Sequence, residues 1–238
     1  MQGRPAFLVD LDGTLISNRR ALPGARQLVE RLGDRWVLLS NDAEHTAVQL
    51  SEILESLGLT VPVERIVLAG TATLDLIAER CPGAHVLLLA SDSLSAYAAA
   101  RGLVTVEAGA QFVIVARDRR FSYERLAAAA NAVRAGAELV AANPDLVHPG
   151  PDGQVVPETG ALLAAVLACA GQARCQTIGK PEPPLFLRAL SILGASAHDA
   201  IMIGDNAETD GAGAARMGMR YINAAAGLAG VLDQLPPA

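Results

Sequence analysis

Six polar side chains, each close behind a candidate strand, have the types that bind a phosphate group and a divalent cation. They are Asp10, Asp12, Ser40, Lys180, Asp205 and Asp210. Carboxylate oxygens are ligands that Mg²⁺ prefers, and Mg²⁺ commonly shares them with water and phosphate. An ammonium group and a hydroxyl group donate hydrogen bonds to phosphate oxygens. The set therefore predicts a site that holds Mg²⁺ and a phosphate group together.

Asp10 and Asp12 form the tightest part of this pattern. Side chains two residues apart on an extended chain point to the same side, and Gly13 then allows a sharp turn. Because two neighbouring carboxylates repel each other, we expect a cation beside them. Taken alone, an Asp-Gly step is typical of an ordinary turn. A calcium loop of the EF-hand type is excluded, because the glycine of such a loop is its sixth residue, whereas Gly13 is the fourth residue of this segment.

Short apolar runs alternate with segments of helical periodicity along the chain. The runs predict strands at residues 7–9, 36–39, 66–69, 86–89, 112–115, 139–141, 200–203 and 221–222, with a short one at 177–178. Helices are predicted at residues 25–32, 46–57 and 123–135. This alternation predicts an α/β fold with parallel sheets. Because ligands bind at the carboxyl ends of parallel strands, we expect the six polar side chains to meet at one rim.

The composition narrows the class of protein. The chain has 238 residues, of which 51% are apolar and 18% charged, so it can bury a sizeable core. A net charge of −6 argues against a general nucleic-acid binder. No apolar run is long enough to span a bilayer, and the first residues lack the pattern of a secretory signal. We therefore expect a cytoplasmic protein without a membrane or nucleic-acid partner.

The four segments that carry these residues resemble the motifs of the haloacid dehalogenase (HAD) superfamily. They read Asp10-Leu11-Asp12-Gly13-Thr14, Leu39-Ser40-Asn41, Gly179-Lys180-Pro181 and Gly204-Asp205 to Thr209-Asp210. Three further segments are similar to the NagD and p-nitrophenyl phosphatase branch, subfamily IIA. They are Phe121-Ser122-Tyr123-Glu124-Arg125-Leu126, Ala142-Asn143-Pro144-Asp145 and Thr159-Gly160-Ala161. The resemblance extends over nearly the whole chain.

This resemblance implies two domains. A Rossmann-like HAD core with a parallel sheet is expected at residues 1–81 and 177–238. An inserted α/β cap of the subfamily IIA type is expected at residues 82–176, between the second and third motifs. The resemblance also implies a possible homodimer formed through the cap.

The implied activity is that of a Mg²⁺-dependent phosphatase, which hydrolyses a phosphomonoester of a small metabolite. By this resemblance, the carboxylate of Asp10 attacks phosphorus and forms an aspartyl-phosphate. Asp12 protonates the leaving oxygen and later deprotonates the attacking water. A carboxyl group at position 12 favours phosphoryl transfer over dehalogenation, because the dehalogenases of the family lack that acid.

The resemblance also implies how phosphate and metal are bound. Mg²⁺ is expected between Asp10, the backbone carbonyl of Asp12 and Asp205. Asp210 is expected to support the metal site or the neighbouring lysine without binding the metal itself. The expected ligands of the phosphoryl group are Ser40, Asn41 and Lys180.

The predicted cap is expected to select the substrate. Its candidate contacts are Arg117, Asn143 and Asp145, although plain turns and a solvated charge explain these residues equally well. Asp42 and Glu158 depart from the usual pattern of the family and bear on substrate choice rather than on catalysis. Two other functions stay open: a phosphotransferase in which a sugar hydroxyl replaces water, and a non-catalytic phosphate-binding or regulatory protein.

Overall fold

A computed structural model describes residues 5–235, which form two compact units. The first unit comprises Met1–Ser40, Ala47–Val67 and Lys180–Ala238, within the described range. The second comprises Asn41–Thr46 and Leu68–Gly179. The core and cap boundaries expected at 81/82 and 176/177 stay a prediction. The first four and last three residues of the expected core lie outside the described residues.

Strands and helices alternate along the described chain. The strands are β1 (Ala6–Val9), β2 (Ile16–Ser17), β3 (Arg20–Ala21), β4 (Trp36–Ser40), β5 (Ile66–Leu68), β6 (His85–Leu89), β7 (Val104–Thr105), β8 (Phe112–Val115), β9 (Glu138–Ala141), β10 (Val147–Pro149), β11 (Val155–Pro157), β12 (Cys175–Thr177), β13 (Ala200–Gly204) and β14 (Arg220–Asn223). The helices are α1 (Ala25–Leu32), α2 (Ala47–Ser56), α3 (Ala69–Arg80), α4 (Asp92–Ala100), α5 (Tyr123–Arg134), α6 (Thr159–Ala170), α7 (Pro183–Leu193), α8 (Ala212–Arg216) and α9 (Leu228–Gln234).

The sheet of the first unit has the strand order β14-β13-β1-β4-β5. The pairings of β14 with β13, β13 with β1 and β1 with β4 are parallel. At its centre, Leu8 lies opposite Met202 on one side and Val37 on the other. Every residue of β1, β4 and β13 is buried, as expected for strands covered on both faces. Trp36, the single tryptophan of the chain, is 1% exposed in β4.

The sheet of the second unit has the strand order β12-β9-β8-β6-β7, and all of its pairings are parallel. Helices α5 and α6 pack against each other and contribute Ala129, Val133 and Val166 to the core of this unit. The predicted α/β fold with parallel sheets is therefore confirmed. Within residues 5–235, no helix combines the length and the apolar character that crossing a bilayer requires.

One expectation about the sheets is wrong. The sequence predicts a strand at residues 177–178, before Lys180, within the core sheet. The structure has this strand as β12, which pairs with β9 in the sheet of the second unit. A three-residue strand without a run of apolar residues carries too little pattern to indicate its sheet, because register and partner depend on distant chain segments.

Candidate active site

The turn after β1 brings one buried and one exposed carboxylate close together along the chain. Asp10 is 6% exposed, whereas Asp12 is exposed to solvent. Gly13 has a φ of +81°, a value that L side chains rarely adopt, and a Cβ there would lie 2.1 Å from Oδ2 of Asp205. The glycine is therefore required both by the turn and by the close approach of Asp205.

Thr14 completes this turn and links two acids of the site. It is fully buried, and its hydroxyl lies 3.3 Å from Oδ2 of Asp10 and 3.4 Å from Oδ1 of Asp205. Both contacts are long, so the hydroxyl is positioned to donate to either carboxylate. The sequence alone assigns Thr14 no separate role in the first motif. The available signal was a hydroxyl residue directly after the glycine of the turn.

Lys180 supplies the positive charge of the site. Its Nζ donates to Oδ1 of Asp10 at 2.5 Å and to Oδ1 of Asp210 at 2.7 Å. Burial lowers the pKa of Lys180, but the charges of Asp10 and Asp210 outweigh burial and hold this pKa above its ordinary value. The lysine therefore stays charged in a buried position, because two carboxylates compensate it.

The loop after β13 carries the other two acids. Its residues Ala207–Gly211 form a π-helical turn, and the backbone N–H of Asn206 donates to Oδ2 of Asp210 at 3.2 Å. A Cβ at Gly204 would lie 2.1 Å from the same oxygen of Asp210. Burial, together with the charge of Asp10, raises the pKa of Asp205 above its usual range. Burial also raises the pKa of Asp210 to about 7, against the opposing effect of Lys180.

Three carboxylates of this unit fit one divalent cation. Asp10, Asp205 and Asp210 each offer an oxygen, and these oxygens all lie within 4.8 Å of one another. One ammonium group faces three acids, which leaves an excess of negative charge. Burial is the main cause of the raised pKa values of Asp205 and Asp210, and the charge of Asp10 adds to it. A divalent cation would compensate the excess, and an all-oxygen donor set suits Mg²⁺ or Ca²⁺. The carboxylate of Asp12 is not in this group, whereas that of Asp210 is.

The predicted phosphate ligands divide between the two units. Ser40 is the last residue of β4 and is 2% exposed. Asn41 belongs to the second unit, where its Nδ2 donates to Oδ2 of Asp145 at 3.0 Å. Asn143 is 1% exposed, and its Nδ2 donates to the backbone carbonyl of Asn41 at 2.6 Å. The structure thus brings the candidates Asn41, Asn143 and Asp145 together in one hydrogen-bonded group.

The candidate Arg117 lies in a different group of the second unit. Its Nη1 lies 3.0 Å from a carboxylate oxygen of Glu44 and 3.3 Å from one of Glu158. Glu158 also contacts Nδ1 of His148 at 2.5 Å. Arg117 therefore pairs with two acids, of which Glu44 also pairs with Arg119 at 3.6 Å. The contact between His148 and Glu158 leaves no pattern in the sequence, because the two residues are ten positions apart and flanked by loops.

Asp42, the departure from the family pattern in the second motif, also has partners within its own segment. Its Oδ1 accepts hydrogen bonds from the backbone N–H groups of Glu44 and His45, each at 2.8 Å. Its Oδ2 lies 2.7 Å from Nδ1 of His45. Burial acts to raise the pKa of Asp42, but the contacts with His45 outweigh it and leave the pKa below its usual value.

Known proteins that are similar to this chain are haloacid dehalogenase-like hydrolases. The model of the haloacid dehalogenase-like hydrolases matches residues 7–104, and the HAD-hydrolase-like model matches residues 177–234. The acid sugar phosphatase of Staphylococcus aureus is 32% identical over 237 residues, which cover 98% of this chain and 91% of the relative.

Two solved structures are similar over most of their length. NagD from Escherichia coli K-12 has a TM-score of 0.86 and 26% identity, covering 99% of this chain and 94% of that chain. The glycerol phosphate phosphatase of Mycobacterium tuberculosis, in complex with magnesium, has a TM-score of 0.85 and 31% identity, covering 92% of this chain and 68% of that chain. With the four motifs, these matches show that the chain belongs to the haloacid dehalogenase superfamily, as a phosphoric monoester hydrolase of its NagD-like subfamily IIA.

Proposed function

We propose that this phosphatase hydrolyses a phosphomonoester of a small metabolite in a Mg²⁺-dependent reaction, through an aspartyl-phosphate on Asp10. The observation that carries the proposal is the contact of the Asp10 carboxylate with Lys180, beside the carboxylates of Asp205 and Asp210. A buried carboxylate next to a buried ammonium group suits a nucleophile whose target is an anionic phosphate.

Each step uses a residue of this chain. An oxygen of Asp10 attacks phosphorus, and the bond between phosphorus and the ester oxygen breaks. Asp12 gives its proton to that oxygen, so the alcohol leaves neutral. Asp12, now ionised, takes a proton from a water molecule, whose oxygen attacks the phosphorus of the aspartyl-phosphate. Inorganic phosphate leaves, and the carboxylate of Asp10 is restored.

The exposure of the two acids matches these roles. Asp10 is buried and held by Lys180, as a nucleophile of fixed orientation requires. Asp12 is exposed, so both a leaving alcohol and water can approach it. Ser40 and Lys180 are proposed to bind the phosphoryl oxygens, with Asn41 placed directly after Ser40 in the chain.

Mg²⁺ is the proposed cofactor. Asp10, the backbone carbonyl of Asp12 and Asp205 are proposed to hold it, and Asp210 lies close enough to support the same site. When bound, Mg²⁺ supplies positive charge that favours the approach of a phosphate dianion. The glycerol phosphate phosphatase of M. tuberculosis has been solved with magnesium and also with calcium, so the identity of the activating ion is part of the test.

The substrate is proposed to be a phosphorylated small metabolite, such as a sugar phosphate or glycerol phosphate. This proposal draws on the relatives, which are named acid sugar phosphatase and glycerol phosphate phosphatase. Arg117, Asn143 and Asp145 stay predictions as substrate contacts, and a homodimer formed through the cap stays a prediction from the resemblance.

The test is hydrolysis of p-nitrophenyl phosphate with Mg²⁺, with Ca²⁺ and with a chelator, by the native protein, Asp10→Asn and Asp233→Asn. Asp233 is an exposed aspartate of α9 and serves as the matched control. We expect turnover that requires Mg²⁺, is lost in Asp10→Asn and is kept in Asp233→Asn. Borohydride reduction during turnover, followed by peptide mass spectrometry, should then mark position 10. Metal-independent turnover, or an active Asp10→Asn, would contradict the proposal.

Product analysis separates hydrolysis from transfer. With glycerol or glucose added as acceptor, ³¹P NMR should show inorganic phosphate as the product. A new phosphate ester that grows with acceptor concentration would instead identify a phosphotransferase.

A further inference from the structure

Tyr221 contacts both ends of the loop that carries Asp205 and Asp210. It lies in β14, opposite Met202 of β13, and its side chain is half-buried. The reaction proposed above assigns it no part. Its position is nevertheless specific, because its hydroxyl contacts the first residue of the loop and its ring lies beside the last.

The hydroxyl fixes the start of the loop. It donates to the backbone carbonyl of Gly204 at 3.0 Å, and the same carbonyl accepts the N–H of Ala224 at 2.8 Å. The carbonyl of Gly204 and the N–H of Asp205 belong to one planar peptide group. Two donors on this carbonyl therefore set the orientation of the peptide from which the Asp205 side chain begins.

The ring limits the end of the loop. A Cβ at Gly211 would lie 3.1 Å from Cε1 of Tyr221 and 3.3 Å from its Cδ1. Gly211 has φ −65° and ψ −49°, which any residue adopts, so the ring rather than the backbone limits the space for a side chain here. Gly211 follows Asp210 directly, so the ring bounds the space available to the π-helical turn on which Asp210 lies.

The charges around Tyr221 agree with this placement. Burial is the main cause that raises the pKa of Tyr221 to about 12, and the negative charges of Asp210, Asp205 and Asp10 add to it. The phenol therefore stays protonated and acts as a hydrogen-bond donor throughout the physiological pH range.

We propose that Tyr221 is a positioning residue for the metal site, since it fixes the 204–211 loop at both ends through its hydroxyl and its ring. This inference rests on the proposed function, which makes Asp205 a ligand of Mg²⁺. Tyr221 touches neither substrate nor metal in this proposal and acts through the backbone of the loop at Gly204 and Gly211.

The test is the affinity of the full chain for Mg²⁺, measured by isothermal titration calorimetry at a temperature far below melting. Tyr221→Phe keeps the ring and removes the hydroxyl. Residues that orient metal ligands typically contribute 10- to 100-fold to affinity, and because Ala224 still holds the carbonyl we expect a loss of roughly 10-fold. The matched control is Tyr97→Phe in the second unit, which removes a hydroxyl that donates to Asp75 at 2.9 Å. We expect native Mg²⁺ affinity in this control.

Gly211→Ala probes the other contact. Its Cβ must displace the ring, so it should weaken Mg²⁺ binding in the native background and weaken it less when Tyr221→Phe has already removed the hydroxyl bond. Equal effects in the two backgrounds would overturn the linkage between ring and hydroxyl.

The outcomes separate this inference from the proposed function. Native Mg²⁺ affinity in Tyr221→Phe, alongside Mg²⁺-dependent hydrolysis, would overturn the role of Tyr221 alone. A native protein that binds no Mg²⁺ would overturn the metal site and this inference with it. An equal loss in Tyr221→Phe and Tyr97→Phe would show a general effect of a lost hydroxyl and would also overturn the inference.

Discussion

The ammonium group of Lys180 lies 2.7 Å from a carboxylate oxygen of Asp210, and both side chains are at least 97% buried. A buried ion pair of this kind is costly to break, because removal of one partner leaves an uncompensated charge in a poorly solvated place. The pair therefore contributes to the stability of the folded protein in addition to any role in phosphate binding.

Replacement of Lys180 tests how much this pair contributes to stability. Lys180→Met leaves Asp10 and Asp210 without their cation, and we expect a loss of about 3–5 kcal/mol in stability in the presence of a chelator. Saturating Mg²⁺ should recover part of the loss. The measurement is thermal melting of both proteins with and without Mg²⁺. Phosphatase activity should fall by roughly 100-fold or more, as for loss of a donor to the developing charge.

An exposed ion pair of the same unit provides the control. Arg216 contacts Glu182 at 2.5 Å, with side chains 47% and 38% exposed. Arg216→Met should cost less than about 1 kcal/mol, because surface pairs are screened by solvent. If Lys180→Met melts like Arg216→Met, the pair with Asp210 does not contribute as argued.

Asp12→Asn should show its effect through the leaving group. An amide cannot donate the proton that an alkoxide needs, whereas p-nitrophenolate leaves readily without one. We expect a larger loss of kcat/KM on glycerol phosphate than on p-nitrophenyl phosphate, by roughly 10-fold or more. Steady-state kinetics on both esters provide the measurement, with Asp233→Asn as the control. Equal losses on the two esters would argue against Asp12 as the proton donor.

Gly13→Ala should impair the metal site rather than only the turn. The added Cβ falls 2.1 Å from Oδ2 of Asp205, so that carboxylate must move. Gly194→Ala is the control, because Gly194 also has a positive φ, +58°, but no atom near its missing Cβ. Both variants should lose about 1–2 kcal/mol from backbone strain. Only Gly13→Ala should also weaken the Mg²⁺-dependent rise in melting temperature, and a normal rise in that variant would refute the expectation.

The pair of His45 and Asp42 predicts a stability difference confined to a window of pH. The hydrogen bond that His45 donates to Asp42 raises the pKa of His45 above 6.5, although burial opposes it. A raised histidine pKa gives stability that is complete below the unfolded value and is lost as pH rises through the folded value. The lowered pKa of Asp42 gives stability that is present above 3.8 and is lost as pH falls through the folded value.

His45→Gln should therefore lower the melting temperature most in the window between these two pKa values. The difference from the native protein should shrink toward strongly acidic pH and again above the raised pKa of His45. Since the His45 side chain is 33% exposed, the contribution should stay below about 1 kcal/mol. The control is His198→Gln, because the side chain of His198 is 94% exposed. Its melting temperature should follow that of the native protein across the pH range. A His45→Gln difference that is constant with pH would contradict the assignment.

The strands and the acids of the core could be predicted because their signals are local. The apolar runs before Asp10, Ser40 and Asp205 are long enough to indicate buried parallel strands, and the glycine after Asp12 indicates the turn. The sheet to which the strand before Lys180 belongs could not be predicted correctly. It is short and lacks a run of apolar residues, and its partner β9 lies more than thirty residues away in sequence.

The contacts of Thr14, Tyr221 and Glu158 could not be predicted for a related reason. Each depends on which distant segment packs beside the residue, and no spacing within the chain records that choice. The hydroxyl of Tyr221, for example, donates to the carbonyl of Gly204, seventeen residues earlier in the chain. The burial of Asn143 beside Asn41 is of the same kind, because the two residues are about a hundred positions apart.

Trp36 gives the chain an intrinsic fluorescent probe that reports on the first unit. It is the single indole of the sequence, it is fully enclosed, and it lies four residues before Ser40 in β4. Its fluorescence therefore records the melting of the first unit, whereas far-ultraviolet circular dichroism records the helices of both units. Where the two transition curves coincide, the units unfold together. Where they separate, the gap between them measures how independently the second unit unfolds.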